Sequence, residues 1–159
     1  TVTEEIVQGV IYQQQGVKVT AFIVDHGQIK PAFGYRIDYG DHSVVLSGDT
    51  RYSDNLIQFS KDTDLLVHEV VAAAEFEAIP GYPPARIQEI QSHHTTPEQA
   101  GKVFSQVRPR LAIYSHIVPT TADASALIIS TRETYSGPLE VAEDLMTVEV
   151  GEQISVKRR

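Results

Sequence analysis

The chain contains no cysteine, no long apolar run and no excess of basic side chains. Without cysteine it can form neither disulfides nor thiolate metal sites, so any metal ion would be held by histidine and carboxylate. No apolar run approaches the ~20 residues that a membrane-spanning helix needs, so we expect no membrane partner. The formal net charge of −8 offers no general attraction for a phosphate backbone, which makes nucleic acid an unfavourable partner.

The remaining composition is that of a globular protein. The 159 residues are 42% hydrophobic and 21% charged, and this length is in the normal range for one domain. We therefore predict that residues 1–159 form a single domain. The first residues have neither the basic start nor the apolar stretch of a signal peptide, and the sequence does not identify a compartment.

Strand-like and helix-like patterns alternate along the chain. The strand predictions are a hairpin of residues 6–12 and 17–24 around a turn at 13–16, strands at 35–39, 44–46, 64–70 and 111–114, and a strand-like end at 139–156. The helix predictions are 52–60, 85–91, a helix capped by Thr96 that ends at 108–109, and 122–135, with 80–84 as loop. This alternation indicates the α/β class.

Three potential metal ligands stand just beyond predicted strand ends. They are His26, Asp49 and His116. In open α/β sheets such positions converge on a ligand crevice. Imidazole and carboxylate are zinc ligands, and a carboxylate can bridge two ions. On position alone, however, unrelated polar residues in separate loops are the simpler interpretation.

Several local sequences strengthen the metal interpretation because they follow one another in a familiar order. They are Val19–Gly27, Phe33–Ile37, Ser47–Asp54, Leu66–Glu69, His94–Ala100 and Tyr114–His116. In this order they resemble the metallo-β-lactamase superfamily, particularly its ribonuclease Z-like branch, from about Val17 to about His116. The resemblance implies the C-terminal half of an αββα sandwich, with a mixed β-sheet and flanking helices.

The resemblance also implies roles for the candidate ligands. His26 matches the third histidine of the first zinc site, Asp49 matches the aspartate that bridges both zinc ions, and His116 matches the last histidine, on the second zinc. Two zinc ions about 3.5–4 Å apart generate a hydroxide at neutral pH and polarise the bond that it attacks. The expected cofactor of the intact protein is therefore a pair of zinc ions.

A second pair of residues matches the family's proton-transfer machinery. His94 matches a histidine that is not a ligand but helps to protonate the leaving group, and Glu69 matches the acidic residue that pairs with it. A neighbouring carboxylate raises the pKa of an imidazole, which suits a general acid. Together with Asp49, these two residues are the predicted catalytic set.

The sequence departs from the family by lacking the His-x-His-x-Asp-His stretch that provides four of the metal ligands. Three ligands without it cannot hold two ions in the usual way, so we expect the isolated chain to bind metal weakly and to be inactive. The family's N-terminal half is absent too, and we expect an exposed apolar sheet face. The partner for that face would be the missing half or a self-associated copy.

A second departure concerns the substrate. Ribonuclease Z-like enzymes have His-Glu-Ala-Thr where this chain has His68-Glu69-Val70-Val71, and they carry a long insertion before the Ser-Gly-Asp-Thr motif that is missing here. Together with the negative charge, this favours a hydrolase of a small ester, phosphodiester, sulfate ester or lactone. The alternatives are a transfer-RNA 3′-processing endonuclease and a non-catalytic interaction module with a degenerate fold.

The other polar residues near these motifs have simpler expected roles. His68 is expected to be a hydrogen-bonded core histidine, and His42 to be exposed in a turn. At most one of His93 and His94 is expected to face the site, because chain neighbours usually point to different sides. Asp25 is expected to be a surface carboxylate or to orient a nearby imidazole.

Overall fold

A computed structural model describes residues 6–77 and 79–159, except for the side chain of Glu77. Seven strands form one mixed sheet in the order β1-β2-β3-β4-β5-β6-β7, and two more form a separate hairpin. The strands are β1 Gly9–Gln14, β2 Val17–Ile23, β3 Phe33–Tyr39, β4 His42–Leu46, β5 Leu65–Val71, β6 Leu111–Val118, β7 Leu139–Val141, β8 Thr147–Val150 and β9 Ile154–Lys157. The predicted α/β class with a mixed sheet is confirmed.

The first four strands form an antiparallel meander. The predicted hairpin joins β1 and β2 through a tight turn at Gln15 and Gly16, both with positive φ. The first strand begins at Gly9, later than the predicted start at Ile6, and an irregularity between Val10 and Tyr12 shifts its register against β2. As an edge strand it has a partner on one side only, which explains its weaker definition.

The remaining strands of the large sheet are parallel, and helices provide the crossovers. The helices are α1 Asp54–Phe59, α2 Ala73–Glu77, α3 Pro84–His93, α4 Pro97–Val107 and α5 Ala124–Arg132. The prediction missed α2, and it made α5 too long at both ends. The structure starts α5 after Asp123, whose side chain accepts a hydrogen bond from the Ser125 N–H and so caps the helix.

The helix that follows the His-His pair is fixed by its local sequence. Thr96 accepts a hydrogen bond from the Gln99 N–H, while the Gln99 side chain accepts one from the Thr96 N–H. This capping box, followed by Pro97 at the first helical position, is a strong start signal. Since the helix starts here, His94 and Thr95 are held in the short connection just before it.

The main core lies between the large sheet and its helices. Phe22, Leu66 and Tyr114 of the sheet pack with Phe104 of α4 and Leu56 of α1, and all five are almost completely buried. Burial of such side chains contributes roughly 1.5–3 kcal/mol each. No helix in the part of the chain that the structure describes is long and apolar enough to cross a membrane.

The opposite face of the sheet is only partly covered. The β8–β9 hairpin packs Val148 and Ile154 over the β5–β6 region. Over the meander this face is partly open: Ile23, Tyr39 and Leu46 lie on it by register and are 52%, 62% and 38% exposed, although Ala21 on the same face is buried and Val44 packs with the hairpin cluster. The structure thus contains the open apolar sheet face that the sequence predicts for half of a sandwich.

Candidate metal-binding and proton-transfer site

The candidate residues meet at one edge of the large sheet. Strands β2, β4, β5 and β6 run in the same direction, so their carboxyl ends share this edge. His26 follows β2 and Asp49 follows β4, as predicted. His116 does not follow its strand, because β6 continues to Val118 instead of ending at Tyr114.

An irregularity in β6 explains how His116 still reaches the site. The pairing of β5 with β6 shifts register between His68 and Val70, and His116 has a positive φ of 45°. Such bulges re-aim side chains at sheet edges. The imidazole of His116 therefore turns towards Asp49, with 3.5 Å between its Nε2 and the Asp49 Oδ1.

The histidine rings lie in a row beside Asp49. The ring centroids of His26 and His94 are 5.1 Å apart, and those of His94 and His116 are 5.8 Å apart. No group of three or more metal-ligating side chains among the described residues already converges as a metal site. The structure therefore brings the predicted ligands together as neighbours, without completing a coordination sphere.

His26 is fixed with one ring nitrogen free. It is 7% exposed, and its Nδ1 donates a hydrogen bond to the His93 carbonyl oxygen at 2.8 Å. A hydrogen bond from Nδ1–H to a carbonyl oxygen sets the tautomer of a histidine and leaves its Nε2 as the atom that can bind a metal. The backbone of His93 thus orients His26.

The ring of His93 occupies a different place from that of His94. It packs over Gly27, where a Cβ atom would lie 2.6 Å from the His93 Cδ2 and where φ is +63°. Both the space and the backbone therefore require glycine at this position. His94 instead bonds Glu69 and approaches His116. Both rings nevertheless pack against that of His26, with centroids 5.7 Å away for His93 and 5.1 Å away for His94, so the structure does not separate the pair as predicted.

The turn that presents Asp49 is tightly built. Gly48 has a φ of +61°, and a Cβ atom there would lie only 2.2 Å from the carbonyl oxygen of Phe33. The Ser47 hydroxyl donates to the Gly48 carbonyl oxygen at 2.7 Å and accepts from the Glu69 N–H at 3.0 Å. Asp49 itself is left with a 46% exposed side chain that faces outwards beside the exposed His116.

Asp25 and Arg51 tie the His26 loop to the Asp49 loop. The Arg51 N–H donates to the Asp25 carbonyl oxygen at 2.8 Å, and the guanidinium pairs with the Asp25 carboxylate at 2.7 Å. The hydrogen bond from Arg51 holds the pKa of Asp25 below its ordinary value, although slight burial opposes this. Asp25 therefore links two loops, and within the described residues it forms no hydrogen bond to an imidazole, contrary to one expectation.

The predicted pairing of Glu69 with His94 is present in the structure. The Glu69 carboxylate is almost completely buried; its Oε2 lies 2.9 Å from the His94 Nδ1, and its Oε1 accepts from the Thr95 N–H at 2.7 Å. The hydrogen bond to Glu69 raises the pKa of His94, and this outweighs the opposite effect of burial. The arrangement therefore favours the protonated form of His94.

Thr95 is a positioning residue that the sequence did not single out. It is fully buried, its hydroxyl donates to the Thr50 carbonyl oxygen at 2.6 Å, and its own carbonyl oxygen accepts from the Val71 N–H at 2.9 Å. It therefore joins β5, the Asp49 loop and the start of α4. The local sequence carried no signal of this beyond its place in the His-Thr-Thr motif.

The two remaining histidines lie outside the site. His68 is fully buried, its Nδ1 donates to the Glu69 carbonyl oxygen at 2.6 Å, and burial lowers its pKa, which confirms the predicted core histidine. The expectation that His42 is exposed in a turn is met in part. Its side chain is 36% exposed, and its Nδ1 lies 3.5 Å from the carboxylate of Asp64, which precedes β5.

Comparison with known families agrees with this geometry. Residues 3–117, most of the chain, match the family model described as the beta-lactamase superfamily domain. The chain therefore belongs to the metallo-β-lactamase superfamily, and the resemblance found in its motifs is confirmed.

Among curated relatives, the chain is similar to ribonuclease Z. It is 30% identical over 158 residues to "Ribonuclease Z" of Mycolicibacterium gilvum, which covers 97% of this chain and 54% of that protein. It is 28% identical over 155 residues to "Ribonuclease Z" of Mycobacterium sp. (strain KMS), covering 96% of this chain and 53% of that protein. The chain thus spans about half the length of these relatives.

The fold also matches solved structures. The metallo-β-lactamase fold protein YhfI from Bacillus subtilis gives a TM-score of 0.65 at 21% identity, over 83% of this chain and 49% of that chain. The short form of human tRNase Z gives a TM-score of 0.56 at 21% identity, over 86% of this chain and 43% of that chain. At this identity the likeness shows the fold alone. The relatives' names nevertheless weigh against our expectation that nucleic acid is an unfavourable partner.

Proposed function

We propose that the intact protein is a metal-dependent hydrolase of an ester-type bond, and that this chain forms one domain carrying part of its active site. The observation that carries the proposal is the row of His26, His94 and His116 beside Asp49 at one sheet edge. Isolated loop residues would not be expected to converge in this way. Membership of the metallo-β-lactamase superfamily supports the same reading.

The donor set fits zinc in chemistry but falls short in number. The His26 Nε2 forms no hydrogen bond with the described residues, and His116 and Asp49 face each other with exposed side chains. These three residues would hold the metal, and further ligands would have to come from outside the described part of the chain. When bound, zinc would activate water and polarise the bond to be broken.

His94 and Glu69 supply the proton-transfer step of the proposed reaction. Glu69 accepts a hydrogen bond from the Nδ1–H of His94 and keeps the ring in one orientation. This leaves the Nε2–H of His94 to protonate a departing oxygen. Because its partner is a buried carboxylate, His94 is protonated at a higher pH than an ordinary histidine. We assign it the role of general acid.

The open sheet face is the proposed attachment surface for the rest of the active site. It lies on the meander, whose strands β2 and β4 lead directly to His26 and Asp49. Either the N-terminal half of the protein or a second copy of this chain would bury it. Both arrangements would also bring additional side chains towards the two exposed ligands.

Zinc titration and hydrolysis assays test this proposal. The 159-residue chain should bind zinc weakly and turn over a model phosphodiester or aryl ester slowly, since its ligand set is partial. Tight stoichiometric binding with fast turnover would contradict the partial-site argument. In the full-length protein Asp49→Ala should abolish activity and reduce the zinc content, whereas a non-catalytic interaction module would lose neither.

A transfer-RNA processing endonuclease is the second candidate. Similarity to proteins named ribonuclease Z favours it, while the net charge of −8 opposes it. A precursor-RNA cleavage assay with the full-length protein separates the two. Specific cleavage at a transfer-RNA 3′ end would replace the small-ester proposal.

A further inference from the structure

An open cleft of about 770 Å³ is lined in part by His94 and His116. Its walls come from α2, α3 and the segment before it, the end of β6 with the residues that follow, and the segment after β7. The apolar lining includes Phe76, Tyr82, Ile90, Val118 and Pro119. A cleft of this size next to candidate catalytic residues can hold a small organic group.

One wall of the cleft is aromatic and partly fixed. The rings of Phe76 and Tyr82 are 5.3 Å apart at 55°. Phe76 is 3% exposed and is anchored in a small core cluster with Val71 and Ile87, whereas Tyr82 is 42% exposed. A buried ring therefore supports an accessible one, which suits contact with a flat apolar group.

The lining carries groups of both signs. Glu143 and Asp144 are its carboxylates, His94 and His116 are its imidazoles, and no lysine or arginine is among the described lining residues. Glu143 lies 3.4 Å from the Arg158 guanidinium, so its charge is partly balanced. Asp144 has no such ion pair among the described residues, and both carboxylates are exposed enough to meet a ligand. An anionic group placed beside Asp144 would be repelled.

We propose that this cleft binds an aromatic or compact apolar group that carries no negative charge. If the proposed function holds, this group would be the part of the substrate next to the bond whose leaving oxygen His94 protonates. The binding itself depends on the aromatic wall and on Asp144. Neutral and cationic groups fit the lining beside Asp144 better than carboxylates and phosphates do.

A charge series of small probes tests the proposal in the zinc-free chain. Phenylethanol, phenylethylammonium and phenylacetate share one ring and differ in charge, and amide chemical-shift changes report binding. We expect shifts at residues of the cleft, with phenylacetate binding about five-fold more weakly than phenylethanol and phenylethylammonium at least as tightly as phenylethanol. If the isolated chain gives a poorly dispersed spectrum, the same titration is made with the full-length protein.

Single substitutions at exposed positions separate specific from general binding. Tyr82→Ala should weaken the binding of all three probes, and Asp144→Asn should reduce the difference in affinity between phenylacetate and phenylethanol. Ile129→Ala, at an exposed side chain of α5 away from the cleft lining, is the control and should change neither the binding of the three probes nor the affinity difference between phenylacetate and phenylethanol. Phenylacetate or uridine monophosphate binding as tightly as phenylethanol would overturn the proposal, and so would no cleft shifts with any probe or no effect of Tyr82→Ala. These titrations measure no turnover and contain no metal, so their failure would leave the hydrolase proposal standing.

Discussion

Replacement of Glu69 by glutamine tests the site most directly, because it removes a charge while keeping shape and size. The glutamine carbonyl can still accept from the Thr95 N–H, where Glu69 now accepts at 2.7 Å. Both bonds lose their charge assistance, and at the His94 Nδ1, 2.9 Å away, the glutamine NH2 group replaces the accepting oxygen and cannot accept a hydrogen bond. Glu69→Ala would instead remove both acceptors from a fully buried position.

The expected free energies of unfolding follow from these contacts. Charge-assisted hydrogen bonds contribute roughly 1.5–3 kcal/mol and neutral ones roughly 0.5–1.5 kcal/mol, so Glu69→Gln, which affects two of them, should cost about 2–3 kcal/mol. Glu69→Ala leaves a buried N–H without its partner and opens a cavity, and should cost about 3–4 kcal/mol. The conservative and the truncating variants are therefore distinguishable.

The cost of Glu69→Gln should also depend on pH. Its hydrogen bond to Glu69 raises the pKa of His94 above the ordinary value of 6.5. A raised pKa contributes stability that is fully present below the unfolded-state pKa and is lost as pH rises through the folded-state pKa. The difference in free energy of unfolding between the wild type and Glu69→Gln should therefore be larger at about pH 6 than at about pH 9.

Urea unfolding followed by circular dichroism, at both pH values, measures these differences. The imidazole resonances of His94 should titrate at a lower pH in Glu69→Gln than in the wild type. In the full-length protein the same variant should lose activity while keeping its zinc. Equal costs for glutamine and alanine, or a cost that does not change with pH, would refute the proposed role of the pair.

Two further predictions concern the framework around the site. Burial of Asp64 favours its neutral form, but hydrogen bonds from Arg110 and from a backbone N–H outweigh this and lower its pKa. The stability that the ionised Asp64 adds is therefore present at neutral pH and is lost as the pH falls through the folded-state pKa. Asp64→Asn should cost about 1–2 kcal/mol at pH 7 and almost nothing in strong acid, which thermal melts across pH would show. Gly48→Ala should cost more than about 2 kcal/mol, because its Cβ would meet the Phe33 carbonyl oxygen at 2.2 Å in a left-handed backbone. Gly40→Ala, which has a similar φ of +57° and open space, is the matched control and should cost clearly less; equal losses would refute the steric argument.

Local sequence was enough to predict most of the framework. The hairpin of β1 and β2, the strand that ends before Asp49 and the capped start of α4 all depend on residues within a few positions of one another. The missed helix α2 lies in an alanine-rich stretch without a cap signal, and its Phe76 is held by contacts to Val71 and Ile87 rather than by local pattern.

The sequence predicted which residues belong to the site better than it predicted how they contact one another. The ordered motifs pointed to Glu69 and His94, and the structure places them within hydrogen-bonding distance. Their catalytic role, like the ligand roles of His26, Asp49 and His116, stays a prediction. The link between Asp25 and Arg51 was not foreseen, because no local pattern relates two residues in different loops.

The sequence by itself determined the class, the family and the residue types available for chemistry, since cysteine is absent and the motifs follow in order. Only the tertiary structure decided how those residues meet. The register shift that turns His116 towards Asp49, the buried Thr95 between three segments and the open part of the meander all depend on pairings between distant parts of the chain. Such pairings are selected by the packing of the whole sheet, and short sequence patterns carry no record of them.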